Sequence, residues 1–161
     1  MLSRLSPGFA AIVLGLALVL PPTAAIAAAP DDHVALAGLT TGKGFFDLNV
    51  AEADRLLLYL KVITQTRAGL LEQKIAPDLI VAFRGPSVKL IVAGADEKEQ
   101  AIATLIRRLQ TDGVRFEACA VALRLFDIEP DRVIPEIAVV GNTFISSIGY
   151  QGRGYALIPI Q

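Results

Sequence analysis

Short apolar runs and helical patterns alternate along this chain from residue 45 onwards. Each apolar run has the length of a strand, and the run at residues 79–83 (LIVAF) is continuous, which is typical of a strand buried on both faces. Strands are predicted at residues 45–48, 79–83, 114–118, 137–140 and 155–158. Strands that alternate with helices pair in parallel through right-handed crossovers. The pattern therefore predicts an α/β fold: a three-layer α/β/α sandwich with a mostly parallel sheet of about five strands, whose order is left open.

The segments between these strands carry helical periodicity. Asn49 followed by Glu52 predicts a capped helix start, and an apolar stripe with helical spacing follows: Ala53, Leu56, Leu57, Leu60 and Ile63. Further helices are predicted at residues 97–110, 119–126 and 143–150. Gly113 is the natural C-terminal cap of the first of these. The short segment between Pro86 and Val92 fits either a helix or a strand.

In this architecture the loops after the strands are the expected place for a site, because the crevice of an open parallel sheet lies outside the carboxyl ends of its strands. The residues there are Asn49, Arg84-Gly85-Pro86, Cys119, Gly141-Asn142 and Pro159. We expect Arg84 to favour a thiolate or to hold an anionic sulfur species, and Gly85 and Asn142 to complete the binding site through close backbone approach. Taken singly, each of these residues is also an ordinary turn residue or a solvated arginine.

Cys119 is the only cysteine, and it lies where the third predicted strand runs into a helix. A thiol at a helix N-terminus feels the positive end of the backbone dipole and unpaired N–H groups, which favour the reactive thiolate. A single cysteine forms no intramolecular disulfide, so redox or sulfur chemistry at Cys119 must involve a second molecule. The alternative is that Cys119 is a small hydrophobe packed in the core.

The first residues indicate export. Arg4 precedes an apolar run at residues 9–20, which is too short for the roughly 20 residues that span a bilayer. Two prolines end the run, and Ala25-Ile26-Ala27 has the small-x-small pattern of a signal-peptidase site. We predict a cleaved signal peptide (1–27), a flexible leader (28–42), one domain (43–161) and a periplasmic location. The alternative is an uncleaved membrane anchor.

Charge and composition exclude several classes of function. The formal net charge is −1 and becomes −2 once Arg4 is removed, so there is no basic stripe for nucleic acid and no polybasic membrane patch. The single histidine, His33, lies in the predicted leader and gives little support to a metal site or a Cys-His pair. No nucleotide-binding glycine motif occurs, and no cofactor is expected. Glu117 would be either a proton acceptor for Cys119 or a partner in an ion pair.

Several segments of the chain resemble the DsrE/DsrF-like family. They are residues 113–123 (GVRFEACAVAL), 128–131 (IEPD), 134–137 (IPEI) and 149–159 (GYQGRGYALIP). Residues 83–86 (FRGP) fit the exported, single-domain branch of the family, and the resemblance covers about 45–160. It implies an α/β/α sheet, homo- or hetero-oligomers that are commonly trimers or hexamers, and a persulfide-carrying cysteine at the end of the third strand, which Cys119 matches. The best-understood relay members are cytoplasmic, so their partners are not carried over.

Two functions follow as expectations. The first is an exported sulfurtransferase or persulfide carrier that uses Cys119, supported by Arg84, Gly85 and Asn142, with sulfur donor and acceptor proteins that the sequence does not name. The second is a non-catalytic, oligomeric binding domain in which Cys119 is structural. A redox sensor that forms an intermolecular disulfide is a minor third. The apolar residues Phe144, Ile145 and Ile148 pack either on the sheet or against a sister subunit.

Overall fold

The computed structural model describes residues 31–94 and 96–161, so the predicted signal peptide lies outside the described residues. Helices and strands alternate from Thr41 to the end of the chain, as the sequence pattern predicts. In chain order the elements are α1 (His33–Leu36), β1 (Thr41–Leu48), α2 (Ala53–Glu72), β2 (Ala76–Phe83), a 3-10 helix (Gly85–Ile91), α3 (Glu97–Thr111), β3 (Arg115–Cys119), α4 (Ala120–Leu125), a second 3-10 helix (Pro130–Arg132), β4 (Ala138–Val140), α5 (Thr143–Gln151) and β5 (Ala156–Ile160).

The strands form one parallel sheet in the order β4-β3-β2-β1-β5. From β1 to β4 each strand is added next to the previous one, whereas β5 returns to the opposite side of β1. All strands therefore present their carboxyl ends at the same edge of the sheet. Residues Asp32–Gln161 form one compact unit.

The two faces of the sheet are covered unequally. One face carries the larger core, in which Phe46, Val81 and Phe116 pack with the apolar stripes of α2 and α3. The other face carries a small cluster of Phe45, Ile80, Ala82 and Tyr155, against which Tyr150 of α5 packs. These faces confirm the predicted α/β/α sandwich. Of the described helices, α5 is the one that contacts β1, β3 and β5 on this thinner side.

Strands β1 and β2 are longer than the apolar runs that predict them. Strand β1 begins at Thr41, inside the predicted leader, because the backbone of Thr41 to Gly44 continues the parallel pairing with the start of β2. Pairing depends on backbone groups, and polar or glycine residues supply these as well as apolar ones do. Pro77 lies near the start of β2, where a missing N–H is tolerated.

The prediction that Asn49 caps α2 is wrong. The helix begins at Ala53 with Glu52 at the N-cap and no side-chain capping bond, because the Asn49 side chain is directed at the glycine turn after β2. Helix α3, in contrast, has a full capping box between Asp96 and Glu99, and it is followed by Gly113 at φ +92°. The segment that fitted either a helix or a strand is the 3-10 helix Gly85–Ile91.

Candidate functional site

Cys119 is the last residue of β3 and the N-cap of α4. Phe116 and Ala118 pack in the larger core, and the alternation of the strand turns Glu117 towards the side that carries α5. Cys119, where the strand ends, also belongs to the larger core. The sequence Ala120-Val-Ala-Leu then continues as a helix, which brings the thiol to the carboxyl edge of the sheet. Cys119 is 5% exposed, yet it lines a surface cavity.

Two helix N-termini are directed at the sulfur. Burial by itself raises the pKa of the thiol, but the backbone N–H groups of Thr143, Ala122 and Val121 and the Thr143 hydroxyl outweigh it, so the pKa lies below its ordinary value. Val121 and Ala122 belong to the first turn of α4, and Thr143 is the first residue of α5. The site therefore favours the thiolate form of Cys119, as the sequence position suggested, but with a second helix contributing.

Asn142 and Thr143 hold the start of α5 beside the thiol. The Asn142 side chain accepts a hydrogen bond from the backbone N–H of Phe144 at 2.9 Å, which makes Asn142 the N-cap of α5. Thr143 is 2% exposed, and its hydroxyl makes no well-aligned hydrogen bond within the described part of the chain. This hydroxyl lowers the pKa of the Cys119 thiol, although it makes no regular hydrogen bond.

Arg84 follows β2 and lies in an ion pair that the sequence analysis did not find. Its Nε donates to Oδ1 of Asp47 at 2.7 Å, and its guanidinium lies 5.5 Å from the centre of the Phe144 ring. Both charged side chains are mostly buried, at 18% and 15% exposed. Asp47 is the penultimate residue of β1 and pairs in register with Ala82. The carboxyl ends of neighbouring parallel strands lie side by side. Once β1 and β2 are known to be neighbours, this places Asp47 near Arg84.

Gly85 shapes the turn on which Arg84 lies. Its φ is +51°, and a β-carbon at this position would collide with the side-chain oxygen of Asn49. The Ser87 hydroxyl lies within hydrogen-bond distance of the carbonyl oxygens of Leu48, at 3.0 Å, and Arg84, at 2.7 Å. The ends of β1 and β2 are therefore joined through this turn, which fixes the backbone of Arg84.

The predicted site residues Arg84, Gly85, Cys119 and Asn142 all line one cavity of about 220 Å³. The remaining lining residues are Val121, Ala122, Leu125, Thr143 and Phe144. Most of this wall is apolar. The arrangement is a polarised thiol at the base of a small, largely apolar pocket, which suits attack by the sulfur on a group that enters from solvent.

Glu117 does not line this cavity. Its Oε1 accepts a hydrogen bond from the Tyr150 hydroxyl at 2.9 Å, and burial together with this bond raises the pKa of Tyr150. The other oxygen of Glu117 is buried without a partner among the described residues. Glu117 therefore engages a tyrosine of α5, and the contacts described give neither the ion pair nor the contact with Cys119 that the sequence analysis considered.

A second polar cluster lies at the opposite, amino-terminal ends of the strands. Arg115 donates to Asp78 and to the Tyr155 hydroxyl, each at 2.7 Å, and Tyr155 donates to Asp78. Burial alone would raise the pKa of Asp78, but the hydrogen bonds from Tyr155 and Arg115 lower it below its ordinary value. The Arg115 guanidinium also lies over the rings of Tyr150 and Tyr155. This cluster connects β2, β3 and the residue before β5 with α5.

Residues 31–94 and 96–161 offer neither a metal site nor a membrane span. No group of three or more His, Cys, Asp and Glu side chains that could hold a metal ion occurs there. Within the same ranges, none of the helices is both long enough and apolar enough to cross a membrane.

Comparison with known proteins agrees with this fold and with the resemblance read from the sequence. The profile of the DsrE/DsrF-like family matches residues 40–160, so the chain belongs to this family. Membership implies a role related to sulfur metabolism.

Individual relatives are distant. An uncharacterized protein of Aquifex aeolicus (strain VF5) is 24% identical over 125 residues, which are 73% of this chain but only 55% of the relative. The solved structure of a protein of unknown function from Methanobacterium thermoautotrophicum, MTH1491, aligns with a TM-score of 0.63 at 20% identity. That alignment covers 73% of this chain and 98% of the other. At this identity the likeness shows the fold alone.

Proposed function

We propose that this protein accepts sulfur on Cys119 and carries it as a persulfide. The observation that carries the proposal is the thiol at the end of β3, held between the N-termini of α4 and α5 with a pKa below its ordinary value and facing a small cavity. Membership of the DsrE/DsrF-like family supports sulfur as the cargo. A packing role alone does not explain why N–H donors from two helices converge on one sulfur atom.

The transfer step needs no cofactor. The Cys119 thiolate attacks the outer sulfur of a donor persulfide R–S–SH, so that a new S–S bond forms to Cys119 while the S–S bond of the donor breaks. The donor leaves as the thiolate R–S⁻, and the product is Cys119–S–SH, so electrons and atoms balance. The donors from Thr143 and α4 stabilise negative charge on the Cys119 sulfur before attack and on the persulfide afterwards. In this scheme Arg84, Gly85 and Asn142 form the wall that the incoming sulfur meets.

Intact-mass measurement tests the carrier role. The native protein is incubated with a low-molecular-weight alkyl persulfide, and we expect a gain of one sulfur atom per chain that a reducing thiol removes. Cys119→Ser should gain none, whereas Tyr155→Phe, altered at the far end of the strands, should gain as much as the wild type. The carrier role is overturned if a thiol-directed alkylator labels Cys119 in the unfolded chain but not in the native one.

We further propose that the protein acts after export, in the periplasm. The support is the sequence of residues 1–27, with Arg4, the short apolar run and Ala25-Ile26-Ala27 at its end. N-terminal sequencing of the protein from a periplasmic fraction should begin at Ala28. A chain that stays in the cytoplasm with Met1 intact would contradict export, and an intact chain in the membrane fraction would indicate an anchor.

A second candidate function, an oligomeric binding domain, is favoured by one surface. Helix α5 exposes Phe144, Ile145 and Ile148 at 59%, 69% and 72%, and the end of α4 exposes Leu125 at 74%. Apolar side chains grouped in this way mark interaction sites more often than isolated ones do. We propose that a second copy covers this surface in a homo-oligomer, a trimer or a hexamer as the family resemblance suggests. Light scattering on the protein without residues 1–27 decides, and a monomer would remove this proposal. If Cys119→Ser leaves both the oligomer and the cellular phenotype unchanged, binding rather than sulfur transfer is the function.

A further inference from the structure

The ion pair between Arg84 and Asp47 bears on what the Cys119 cavity accepts. We propose that Asp47 is a specificity-determining residue: by pairing with Arg84 it makes the cavity discriminate against small inorganic sulfur anions such as thiosulfate and accept sulfur carried on an uncharged, apolar body. The inference rests on the proposed function, because it concerns the donor that delivers sulfur to Cys119.

One cation lies in the wall of the cavity, and an acidic side chain opposes it. Among the described residues that line the cavity, Arg84 is the one that carries a cation. Its Nε is engaged by Asp47 at 2.7 Å, and the Phe144 ring lies against the guanidinium at 5.5 Å. Because the ion pair is largely buried, solvent screens the attraction between its members only weakly. The positive charge that would attract an anion is therefore opposed from a neighbouring strand.

The charge at the reacting sulfur also disfavours an anionic donor. The thiolate of Cys119 is negative, and the opposed charges of Arg84 and Asp47 leave it as the net charge of the pocket. The N–H groups at the starts of α4 and α5 act on the Cys119 sulfur itself, where they lower the pKa of the thiol. An anionic donor approaching such a nucleophile meets repulsion, whereas an uncharged donor does not.

The remaining wall of the cavity favours an apolar donor. Val121, Leu125 and Phe144 give the cavity an apolar lining, which stabilises an apolar body by removing it from water. The Thr143 hydroxyl is almost completely buried at the cavity and lacks a well-aligned partner among the described residues. This hydroxyl lowers the pKa of Cys119 and lines the cavity in which a sulfur atom bound to Cys119 would lie. The polar part of the pocket thus matches the transferred sulfur, and the apolar part matches its carrier.

Two alkylating reagents of equal shape and different charge test the inference. Iodoacetamide is neutral and iodoacetate is an anion; with each, the thiolate forms an S–C bond as iodide leaves. Second-order rate constants are measured on the native protein near neutral pH at low salt, and their ratio is compared with that of a blocked, uncharged cysteine. We expect the native protein to prefer iodoacetamide about tenfold more strongly than the blocked cysteine does.

Substitution of Asp47 should remove this preference. In Asp47→Asn the Arg84 charge is no longer opposed, so the iodoacetate rate should rise about tenfold while the iodoacetamide rate changes less than about twofold. Asp54→Asn is the matched control, because Asp54 pairs with Lys98 on an exposed surface, and it should leave both rates unchanged. Transfer from thiosulfate, in which the thiolate takes the outer sulfur and sulfite leaves, should improve in Asp47→Asn alone.

The outcomes separate the two proposals. If neither reagent labels native Cys119 although both label the unfolded chain, the carrier function fails. If both reagents react with the selectivity of the blocked cysteine, and Asp47→Asn does not alter it, the carrier function stands and the role of Asp47 is refuted. Should Asp47→Asn not fold, the salt dependence of the wild type decides: the iodoacetate rate must rise with salt as repulsion is screened, and a constant or falling rate overturns the inference.

Discussion

Two Arg–Asp ion pairs contact α5, one at each end of the strands, and their surroundings differ. At the amino-terminal ends, Arg115 and Asp78 share the Tyr155 hydroxyl, and the aromatic rings of α5 and the chain after it cover the guanidinium. At the carboxyl ends, Arg84 and Asp47 lie beside a cavity that contains a thiol and an unpaired hydroxyl. The same pair of side chains serves as a clamp in the first region and as part of a pocket wall in the second.

The side chains of the two ion pairs differ in how exposed they are. The Arg115 and Asp78 side chains are 49% and 35% exposed, whereas those of Arg84 and Asp47 are 18% and 15% exposed. Exposed pairs contribute little to stability, so the amino-terminal cluster depends on its tyrosine and its ring contacts. The more buried pair retains its electrostatic effect, and it does so next to the nucleophile. The comparison teaches that the location of a charge pair relative to unpaired groups decides whether it can affect reactivity.

The largest expected difference between the regions is in sulfur transfer. Cys119→Ser should abolish the persulfide mass gain completely, because the attacking atom is gone, while Arg115→Gln at the other end should retain the wild-type yield. Intact-mass spectrometry after incubation with an alkyl persulfide measures both. Equal loss in the two variants would erase the distinction between clamp and site.

The next largest effect is on stability, and it belongs to the amino-terminal cluster. Tyr155→Phe removes a hydroxyl that donates to Asp78 and accepts from Arg115, so the free energy of unfolding should fall by about 1 kcal/mol. Urea titration measures the change. Iodoacetamide labelling of Cys119 should continue at the wild-type rate, and a change in that rate would show that the two ends of the strands are coupled.

A smaller effect is expected from the unpaired hydroxyl at the thiol. Thr143→Val keeps the backbone N–H that lowers the pKa of Cys119 but removes the hydroxyl contribution, so the pKa should rise towards its ordinary value. We expect the rate of alkylation near neutral pH to fall about twofold to threefold. Thr143→Ser, which keeps a hydroxyl, should react like the wild type. The full pH–rate profile measures the shift, and identical profiles for the three proteins would exclude a role for this hydroxyl.

The smallest effect is the pH dependence of stability. Because the pKa of Cys119 is lower in the folded chain than in the unfolded chain, its contribution to stability is present above the unfolded pKa and is lost as the pH falls through the folded pKa. The wild type should therefore gain stability relative to Cys119→Ser as the pH rises towards the unfolded thiol pKa of about 8.5. Urea titrations of both proteins at several pH values measure the difference. A difference that shrinks as the pH rises would contradict the lowered pKa.

The periodicity of apolar residues was enough to predict the fold class, although not the strand order, because each strand except the edge strands is buried on both faces and each long helix has one apolar stripe. The rule that sites lie at the carboxyl ends of parallel strands grouped Arg84, Gly85, Cys119 and Asn142, and all four line one cavity. Asp47 was missed because its contact with Arg84 joins residues on different strands, and neighbouring strands cannot be assigned until the strand order is known.

The contribution of Thr143 was missed for a related reason. A threonine at the start of a helix is ordinary in sequence, and only the path of α5 across the thinner face places its N–H and hydroxyl at the sulfur. Asn49 shows the opposite error. Its spacing to Glu52 fits a capping box, but the left-handed turn at Gly85 accommodates the side chain instead. Local propensity yields to a tertiary contact at both positions.

Helix α5 connects the Cys119 thiol with an exposed apolar surface. The first residue of this helix, Thr143, lowers the pKa of Cys119, and the helix carries the exposed side chains Phe144, Ile145 and Ile148. A protein that binds those side chains and displaces the helix would change the pKa of the Cys119 thiol without contacting the sulfur. Because such coupling is reciprocal, attachment of a sulfur atom to Cys119 would in turn change the affinity for that bound protein.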